Sequence, residues 1–341
     1  MRLLDSHTPT IITLDLRIPG SDGVVVLREL AARGIQAQLI IISGMDMRTV
    51  KSTERLAISH GLRVLGSLRK PFSVAELQAM FARHDGGSVF SEDDILLGLR
   101  NNEFFLQYQP KYSLRSGKLA GAEALARWKR PNGEVVQPAH FIPQIEASLS
   151  CLDFTLQILR SAAQQRAAWA RSGYEVTIAV NIGAKLIRDL DLPDRFADAV
   201  QSAECSPSML VLELTDAGVM TDAIASTEIL TRLRVKGFGL AMDDFGTGYS
   251  SMLHLHRMPF NEIKIDRSFV SDLGATRDSA TVIRSVINLG HNMGIQVCAE
   301  GVETRQMHDR LTGLDCDLAQ GFLYGKPVSA QFANWSANNP S

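Results

Sequence analysis

The sequence has few features that would tie it to a membrane, to nucleic acid or to an oxidising compartment. Its 341 residues include four cysteines, which lie far apart without CxxC spacing, so we expect reduced thiols and no disulfide framework. No apolar run approaches the roughly 18 residues that cross a bilayer. The formal net charge is −2, so no global field favours DNA or an anionic membrane. We therefore expect a cytoplasmic protein without membrane insertion and without DNA as a partner.

The composition is that of a folded protein with room for two domains. Apolar residues make up 45% of the chain and charged residues 21%, which is ordinary for a globular protein. A chain of 341 residues can bury more than one core. Residues 84–88 are polar and glycine-rich, as in a linker. We predict a first domain over residues 1–84, a linker over 85–90 and a second domain over 91–341.

In the first 84 residues, short apolar runs alternate with helical stretches. Runs at 11–14, 39–42 and 64–68 have the composition of buried strands, and they lead to Asp15, Ser43 and Lys70. Alternating strands and helices predict a parallel sheet, whose ligands bind at the carboxyl ends of the strands. The three polar side chains would then share one edge of the sheet.

This arrangement resembles the receiver domain of response regulators, which has a flavodoxin-like fold. The resemblance implies that Asp15 is the phosphoacceptor, Ser43 the switch hydroxyl and Lys70 the phosphate-contacting lysine of a two-component system. It covers residues 8–84 and begins partway into the domain, since residues 1–10 do not supply the family's first strand with its magnesium-binding acids. A full-length receiver would have a sensor histidine kinase as its partner.

Two hypotheses follow from the partial match. The favoured one is a receiver shortened at its N-terminus, and the other is a fragment that serves in dimerisation through an exposed apolar strand. On either hypothesis we do not expect phosphorylation of Asp15, because the magnesium-binding acids are missing.

From residue 104 onward the chain repeats an apolar run, a polar end and a helical stretch. Eight such strands over about 240 residues predict a (β/α)8 barrel, which builds its active site at the carboxyl ends of the strands. The predicted strands are 104–108, 119–124, 176–180, 210–214, 239–242, 262–265, 296–299 and 321–324. The polar residues at their ends are Gln109, Glu123, Asn181, Glu213, Asp243 with Asp244, Lys264 with Asp266, Glu300 and Gln320.

The carboxylates in this set indicate a metal centre. Asp243 and Asp244 follow an apolar run, and at the end of a strand both side chains can turn toward one site. Each acid taken alone would most often form a surface ion pair or a helix cap. Five carboxylates and an asparagine at one barrel mouth would repel one another unless cations neutralise them. Oxygen ligands suit hard divalent ions, and the candidates include no His or Cys, so we predict two ions of Mg2+ or Mn2+.

The motifs around these residues resemble those of the EAL domain of cyclic-di-GMP phosphodiesterases. The resemblance spans residues 91–333 with its landmarks in order. The matching segments are 108–110, 121–128, 138–143, 180–182, 212–215, 243–248, 263–266, 299–304 and 320–321.

The resemblance implies a role for each matching residue. A first metal ion would be held by Glu123, Asn181, Glu213 and Asp243. A second would be held by Asp243 and Asp244, with Glu300 close by. Lys264 would contact the attacking water. Glu303 and Gln320 would support the metal and water network, and Gln109, Leu125 and Arg127 would bind the substrate.

The implied reaction is hydrolysis of one phosphodiester bond of cyclic-di-GMP to linear pGpG, with two ions activating the water. The resemblance also implies a homodimer or higher oligomer. The alternative is a catalytically weak or inactive cyclic-di-GMP receptor that signals through a protein partner, but the complete ligand set favours the enzyme. One departure is Asp216, where the family usually has a glutamate that braces the loop after the aspartate pair. Because aspartate is one methylene shorter, we expect weakened activity, not lost activity.

Overall fold

The chain folds into two compact units, Met1–Val89 and Phe90–Ser341. The computed structural model describes residues 9–18, 21–35, 37–45, 47–70, 72, 76–77, 80, 90–215, 223–245, 255–271, 273 and 277–330. Most of the predicted linker, residues 85–90, lies outside these ranges. None of the helices in the described ranges is long and apolar enough to cross a membrane.

The first unit is built on a small parallel sheet. Strands β1 (Ile11–Asp15), β4 (Gln38–Ser43) and β5 (Arg63–Arg69) pair in the order β1-β4-β5, and a short hairpin pairs β2 (Arg17–Ile18) with β3 (Ser21–Asp22). The helices with bounds within the described residues of this unit are Gly23–Ala32 and Met47–Ser59. The first helix begins after Asp22, whose side chain accepts a hydrogen bond from the Val25 amide at 2.8 Å. Buried leucines of the sheet and the first helix, Leu14, Leu27, Leu30 and Leu39, form the core.

The second unit is a closed barrel of eight strands, which confirms the barrel architecture. A nine-stranded sheet runs in the order β6-β14-β13-β12-β11-β10-β9-β7-β8, and an additional pairing of β6 with β7 closes it. The short β8 lies outside the closed circle, on β7. The strands are β6 (Phe104–Ser113), β7 (Leu119–Lys129), β8 (Val135–Val136), β9 (Thr177–Asn181), β10 (Leu210–Thr215), β11 (Gly239–Phe245), β12 (Glu262–Ile265), β13 (Gln296–Ala299) and β14 (Leu318–Gln320).

One feature departs from a regular repeat of parallel strands. The first barrel strand, β6, is antiparallel to both of its neighbours. A short turn joins β6 directly to β7, and such a connection can only form a hairpin, because a parallel pair needs a long crossover.

The predicted last strand, 321–324, is wrong, since the strand is Leu318–Gln320 and the chain turns at Gly321. A Cβ atom at Gly321 would lie 2.2 Å from the Val302 carbonyl oxygen. The Tyr324 amide donates to the Gly321 carbonyl across the turn at 3.1 Å. The close backbone approach to Val302 therefore ends the strand at Gln320, four residues earlier than the apolar pattern indicates.

Helices cover the outside of the barrel. They are Glu92–Arg100, Pro138–Ala147, Cys151–Arg171, Leu192–Gln201, Ala223–Val235, Arg267–Ser271, Arg277–Asn292 and Arg305–Gly313, with 3-10 turns at Ala184–Leu186 and Pro207–Met209. An aromatic cluster packs helix against strand at one side, where Trp128 is fully buried with its ring centroid 4.9 Å from that of Phe104. The Trp128 indole donates to Glu103 at 2.8 Å, so this tryptophan serves the packing of the barrel wall.

Candidate active site

Strand register brings the first group of polar side chains together inside the barrel. Glu123 of β7 is paired with Gln109 of β6, and Asn181 at the end of β9 is paired with Glu213 of β10. The Asn181 side-chain amide donates to Glu123 Oε1 at 2.9 Å. Glu123 and Glu213 are both buried. The register of these strands therefore presents an amide and two carboxylates to one space, although β7 continues to Lys129 and does not end near Glu123, as the predicted strand 119–124 implied.

The Asp243–Asp244 pair reaches the same space through an irregularity in β11. The strand does not end at Met242, as the sequence suggested, but continues to Phe245. Its register against β12 shifts between Met242 and Phe245, and Asp244 adopts a left-handed backbone with φ of 54°. In a regular strand, consecutive side chains point to opposite faces. The bulge relaxes this alternation, and oxygens of Asp243, Asp244 and Glu300 come within 4.8 Å of one another.

Lys264 lies at the centre of the carboxylates. Its Nζ atom is 2.7 Å from Glu300 and 2.8 Å from Glu213. Asp243 follows at 3.3 Å and Glu123 at 3.6 Å. The lysine side chain is 1% exposed, so these charges meet almost without water between them.

The carboxylates around Lys264 differ in how readily they ionise. Burial raises the pKa of Glu213 well above its ordinary value, although Lys264 opposes the shift. Burial also raises the pKa of Glu300 to about 7 and, together with repulsion from Asp243, that of Asp244 to about 6. For Glu123 the effect of burial is outweighed by the charge of Lys264 and by hydrogen bonds from Gln320 and Asn181, so its pKa is lowered. The cluster thus holds more carboxylates than Lys264 can keep ionised.

Lys264 itself remains a cation. Burial alone would lower the pKa of its ammonium group, but the charges of Glu123, Glu213 and Glu300 raise this pKa well above the ordinary value. A lysine in this state donates hydrogen bonds and does not act as a base.

Two glutamine side chains extend the network from the opposite side. Gln320, at the end of β14, donates to Glu123 Oε2 at 2.6 Å and to Gln109 Oε1 at 3.2 Å. Gln109 in turn donates to the Gly325 carbonyl at 3.2 Å. Both oxygens of Glu123 are therefore held by amide donors, one from Asn181 and one from Gln320.

The donor set fits a divalent cation. Glu213 Oε1 is fully buried and has no hydrogen-bond partner among the described residues. An unpartnered buried carboxylate oxygen is costly unless a cation or a proton is bound to it. The carboxylate oxygens and the Asn181 amide oxygen are the ligand types that hard divalent ions prefer.

The predicted site residues do not all line one cavity. A cavity of about 350 Å³ is lined by Gln109, Glu123, Asn181, Asp243, Lys264, Arg267, Glu300, Gly301, Glu303, Gln320, Gly321 and Phe322. Leu125 lines a second, more apolar cavity of about 440 Å³, which also includes Asn181 and Glu213. Arg127 is buried and donates from Nε to Gln107 at 2.8 Å.

Glu303 and Asp266 are each engaged in a contact outside the group of carboxylates around Lys264. Glu303 lies at the rim, where its Oε1 is 2.8 Å from Arg267 Nη2. Asp266 accepts from the Ser268 amide at 3.0 Å and begins the helix Arg267–Ser271. Asp216 lies outside the described residues.

The structure adds two rim residues that the sequence reasoning did not select. Arg267 directly follows the motif containing Lys264, and Phe322 directly follows Gln320-Gly321. Phe322 is 52% exposed, which is unusual for an aromatic side chain beside a polar cavity. Proximity to the motifs was the only signal in the sequence for either residue.

At the edge of the first unit's sheet, Asp15 and Lys70 form a salt bridge between side chains. Ser43 lies at the end of β4, and its hydroxyl accepts from the Met45 amide at 3.0 Å. Its carbonyl accepts from the Lys70 amide at 2.8 Å. The three residues predicted to share an edge therefore do so.

Comparison with known families identifies the barrel. The EAL domain matches residues 92–327, which is more than half of the chain. The chain belongs to the EAL family. Cyclic di-GMP phosphodiesterase RocR of Pseudomonas aeruginosa is 34% identical over 332 residues, covering 94% of this chain and 85% of RocR.

Other EAL proteins match a smaller share of the chain. The bifunctional diguanylate cyclase/cyclic di-GMP phosphodiesterase MucR of Pseudomonas aeruginosa is 37% identical over 239 residues, and the match spans 35% of MucR. Among solved structures, the MucR phosphodiesterase in complex with c-di-GMP aligns with a TM-score of 0.66 at 37% identity, over 70% of this chain and 97% of that chain. The EAL enzyme Bd1971 with cAMP bound aligns with a TM-score of 0.66 at 30% identity, over 77% of this chain and 74% of that one.

Proposed function

We propose that the chain hydrolyses cyclic-di-GMP to linear pGpG. RocR, which carries the name of a cyclic di-GMP phosphodiesterase, matches nearly the whole chain, and a related EAL barrel has been solved with c-di-GMP bound. The observation that carries the proposal is the group of carboxylates around Lys264 at one end of the barrel, because it is suited to metal-assisted phosphodiester hydrolysis and not merely to nucleotide binding.

The reaction needs divalent metal, and we propose two ions of Mg2+ or Mn2+. Glu123, Asn181, Glu213 and Asp243 would hold one ion, and Asp243, Asp244 and Glu300 the other. Bound there, the ions would lower the pKa of a water molecule and stabilise charge on the phosphate. Because burial raises the pKa of Asp244 and that of Glu300, metal binding to these carboxylates competes with protons.

The protein's own side chains orient the reacting groups. Lys264 stays protonated, so it can donate a hydrogen bond to the attacking water or to a phosphate oxygen. Asn181 and Gln320 fix both oxygens of Glu123, which removes its freedom to rotate. In the reaction the water oxygen forms a bond to phosphorus, the bond from phosphorus to the 3′ oxygen breaks, and that oxygen takes up a proton. The product carries a 5′ phosphate and a free 3′ hydroxyl.

Two cavities meet at Asn181 and offer room for the rest of the substrate. We propose that the apolar cavity beside Leu125 takes one guanine base. Exposed Phe322 can stack on the other base at the polar rim. Gln109 presents an amide to the same polar cavity. Arg127 donates to Gln107, so it would bind the substrate through Gln107 or after a movement of its own side chain.

We propose that the first unit is a receiver-like regulatory domain and that the domains divide at residues 84 and 91. The support is the parallel sheet with Asp15, Ser43 and Lys70 at one edge. A sensor histidine kinase would be the partner of a complete receiver, and we propose a homodimer as the working assembly. All four cysteines are buried free thiols, which suits a cytoplasmic location.

The experiment is turnover of cyclic-di-GMP by the purified chain with Mg2+ or Mn2+, beside Glu123→Ala and the control Glu134→Ala. Glu134 is exposed and lines neither of the two cavities. We expect pGpG from the wild type and from the control, and none from Glu123→Ala. Tight nucleotide binding without turnover by the wild type would instead support a receptor.

A further inference from the structure

Arg267 occupies the rim of the polar cavity as an exposed cation. It is the first residue of the helix Arg267–Ser271, directly after β12, and its side chain is 63% exposed. Among the described residues that line this cavity, the only cations are Lys264 and Arg267. Because Lys264 is buried against four carboxylates, its charge is already balanced.

The backbone of the neighbouring strand end is shaped to accommodate Arg267. Gly301, directly after Glu300, has a φ of 66°, which favours glycine. A Cβ atom there would lie 2.3 Å from Arg267 Cγ and 2.8 Å from Arg267 Cβ. The arginine stem therefore packs directly on the Gly301 backbone, and a larger residue would displace it.

Glu303 holds the other end of the arginine. Its Oε1 accepts from Nη2 at 2.8 Å. A guanidinium group has five N–H donors in a rigid fork, so this bond leaves donors that can reach a ligand in the cavity. The aliphatic part and the guanidinium group of Arg267 are thus both held in place, while the guanidinium group remains exposed to solvent at the rim.

The substrate class proposed above carries two phosphodiesters, of which one reacts at the metal site. We propose that Arg267 binds the phosphate that is not cleaved. This inference rests on the proposed function, and it supplies a cation for an anionic group that the carboxylate cluster would otherwise repel. Arginine suits the task because its fork matches two phosphate oxygens at once.

The test compares wild type, Arg267→Ala, Arg267→Lys and the control Arg305→Ala. Arg305 is 53% exposed, pairs with Asp309 and does not line the cavity. With cyclic-di-GMP and Mn2+, we expect Arg267→Ala to raise KM by about 10- to 100-fold, the range for a lost hydrogen bond to a charged group, with kcat changed less than about 3-fold. Arg267→Lys should recover part of the loss, and the control should match the wild type.

A substrate with a single phosphate separates this role from a role at the reacting centre. With bis(4-nitrophenyl) phosphate, Arg267→Ala should behave as the wild type, since there is no second phosphate to bind. An equal loss on both substrates, or an unchanged KM for cyclic-di-GMP, would overturn the proposal. Should the wild type bind cyclic-di-GMP without cleaving it, the proposed function fails, and calorimetry still decides the inference. An unchanged Kd in Arg267→Ala would then refute it, and a Kd raised by about 10-fold or more would support it.

Discussion

A buried ion pair crosses the barrel interior below the candidate active site. Lys111 on β6 and Glu262 on β12 are 3% and 6% exposed, and Lys111 Nζ lies 2.6 Å and 2.8 Å from the two carboxylate oxygens. Strands β13 and β14 separate β6 from β12, so the pair spans the lumen and does not join neighbouring strands. Glu262 lies two residues before Lys264, on the same face of β12.

Replacing Glu262 with Gln removes the charge partner of a lysine whose side chain is only 3% exposed. We expect this change to lower the free energy of unfolding of the barrel by about 3–5 kcal/mol, the usual cost of breaking a buried pair from one side. Lys111→Met should cost a similar amount, because it leaves Glu262 unpaired. The double variant Lys111→Met with Glu262→Leu should lose far less unfolding free energy than the two single variants lose together. We expect it to be as stable as the wild type or more stable, because apolar residues need no charge compensation.

Urea unfolding followed by tryptophan fluorescence measures these differences, because all three tryptophans belong to residues 90–341. The exposed Arg305–Asp309 pair is a matched control, and Arg305→Ala should cost less than about 1 kcal/mol. Single variants that lose no more unfolding free energy than Arg305→Ala would refute the reasoning. So would a double variant that loses the full sum of the two single losses.

Three further predictions concern the metal site and the turn after β14. The raised pKa values of Glu300 and Asp244, about 7 and about 6, predict that Mn2+ affinity rises between pH 5.5 and 8. Calorimetric Mn2+ affinities that do not change with pH would contradict this prediction. Because the pKa values of both groups are higher in the folded protein than in the unfolded chain, the metal-free protein should also lose stability as pH rises from about 4.5 to 7. Lys264→Met should lower kcat by at least about 100-fold, as measured with saturating substrate, and unchanged turnover would count against its role. Gly321→Ala should cost about 1–3 kcal/mol in thermal unfolding, whereas Gly313→Ala, with no atom within 4 Å of the added Cβ, should cost nothing.

The sequence predicted the barrel and the end of the barrel at which the site lies, because strand periodicity and polar residues after apolar runs are local features. Glu123, Asn181 and Glu213 meet because the register of neighbouring parallel strands places them at one level, and each of them follows an apolar run in the sequence. Asp243 and Asp244 were expected to share a site at a strand end. The actual cause is a bulge with a left-handed residue, which periodicity does not reveal.

Features that depend on contacts between distant segments could not be predicted in this way. The turn at Gly321 is set by the backbone of Val302, and the position of Arg267 by the backbone of Gly301. The pairing of Glu303 with Arg267 likewise joins residues 36 positions apart. None of these contacts leaves a periodic signal in the sequence.

The most direct test of the central claim is mass spectrometry of the product formed from cyclic-di-GMP and Mg2+ in water labelled with oxygen-18. Hydrolysis by an activated water predicts pGpG with one labelled oxygen on its terminal phosphate, and no such product from Glu123→Ala. Cyclic-di-GMP that is bound by the wild type but recovered intact and unlabelled would contradict the account.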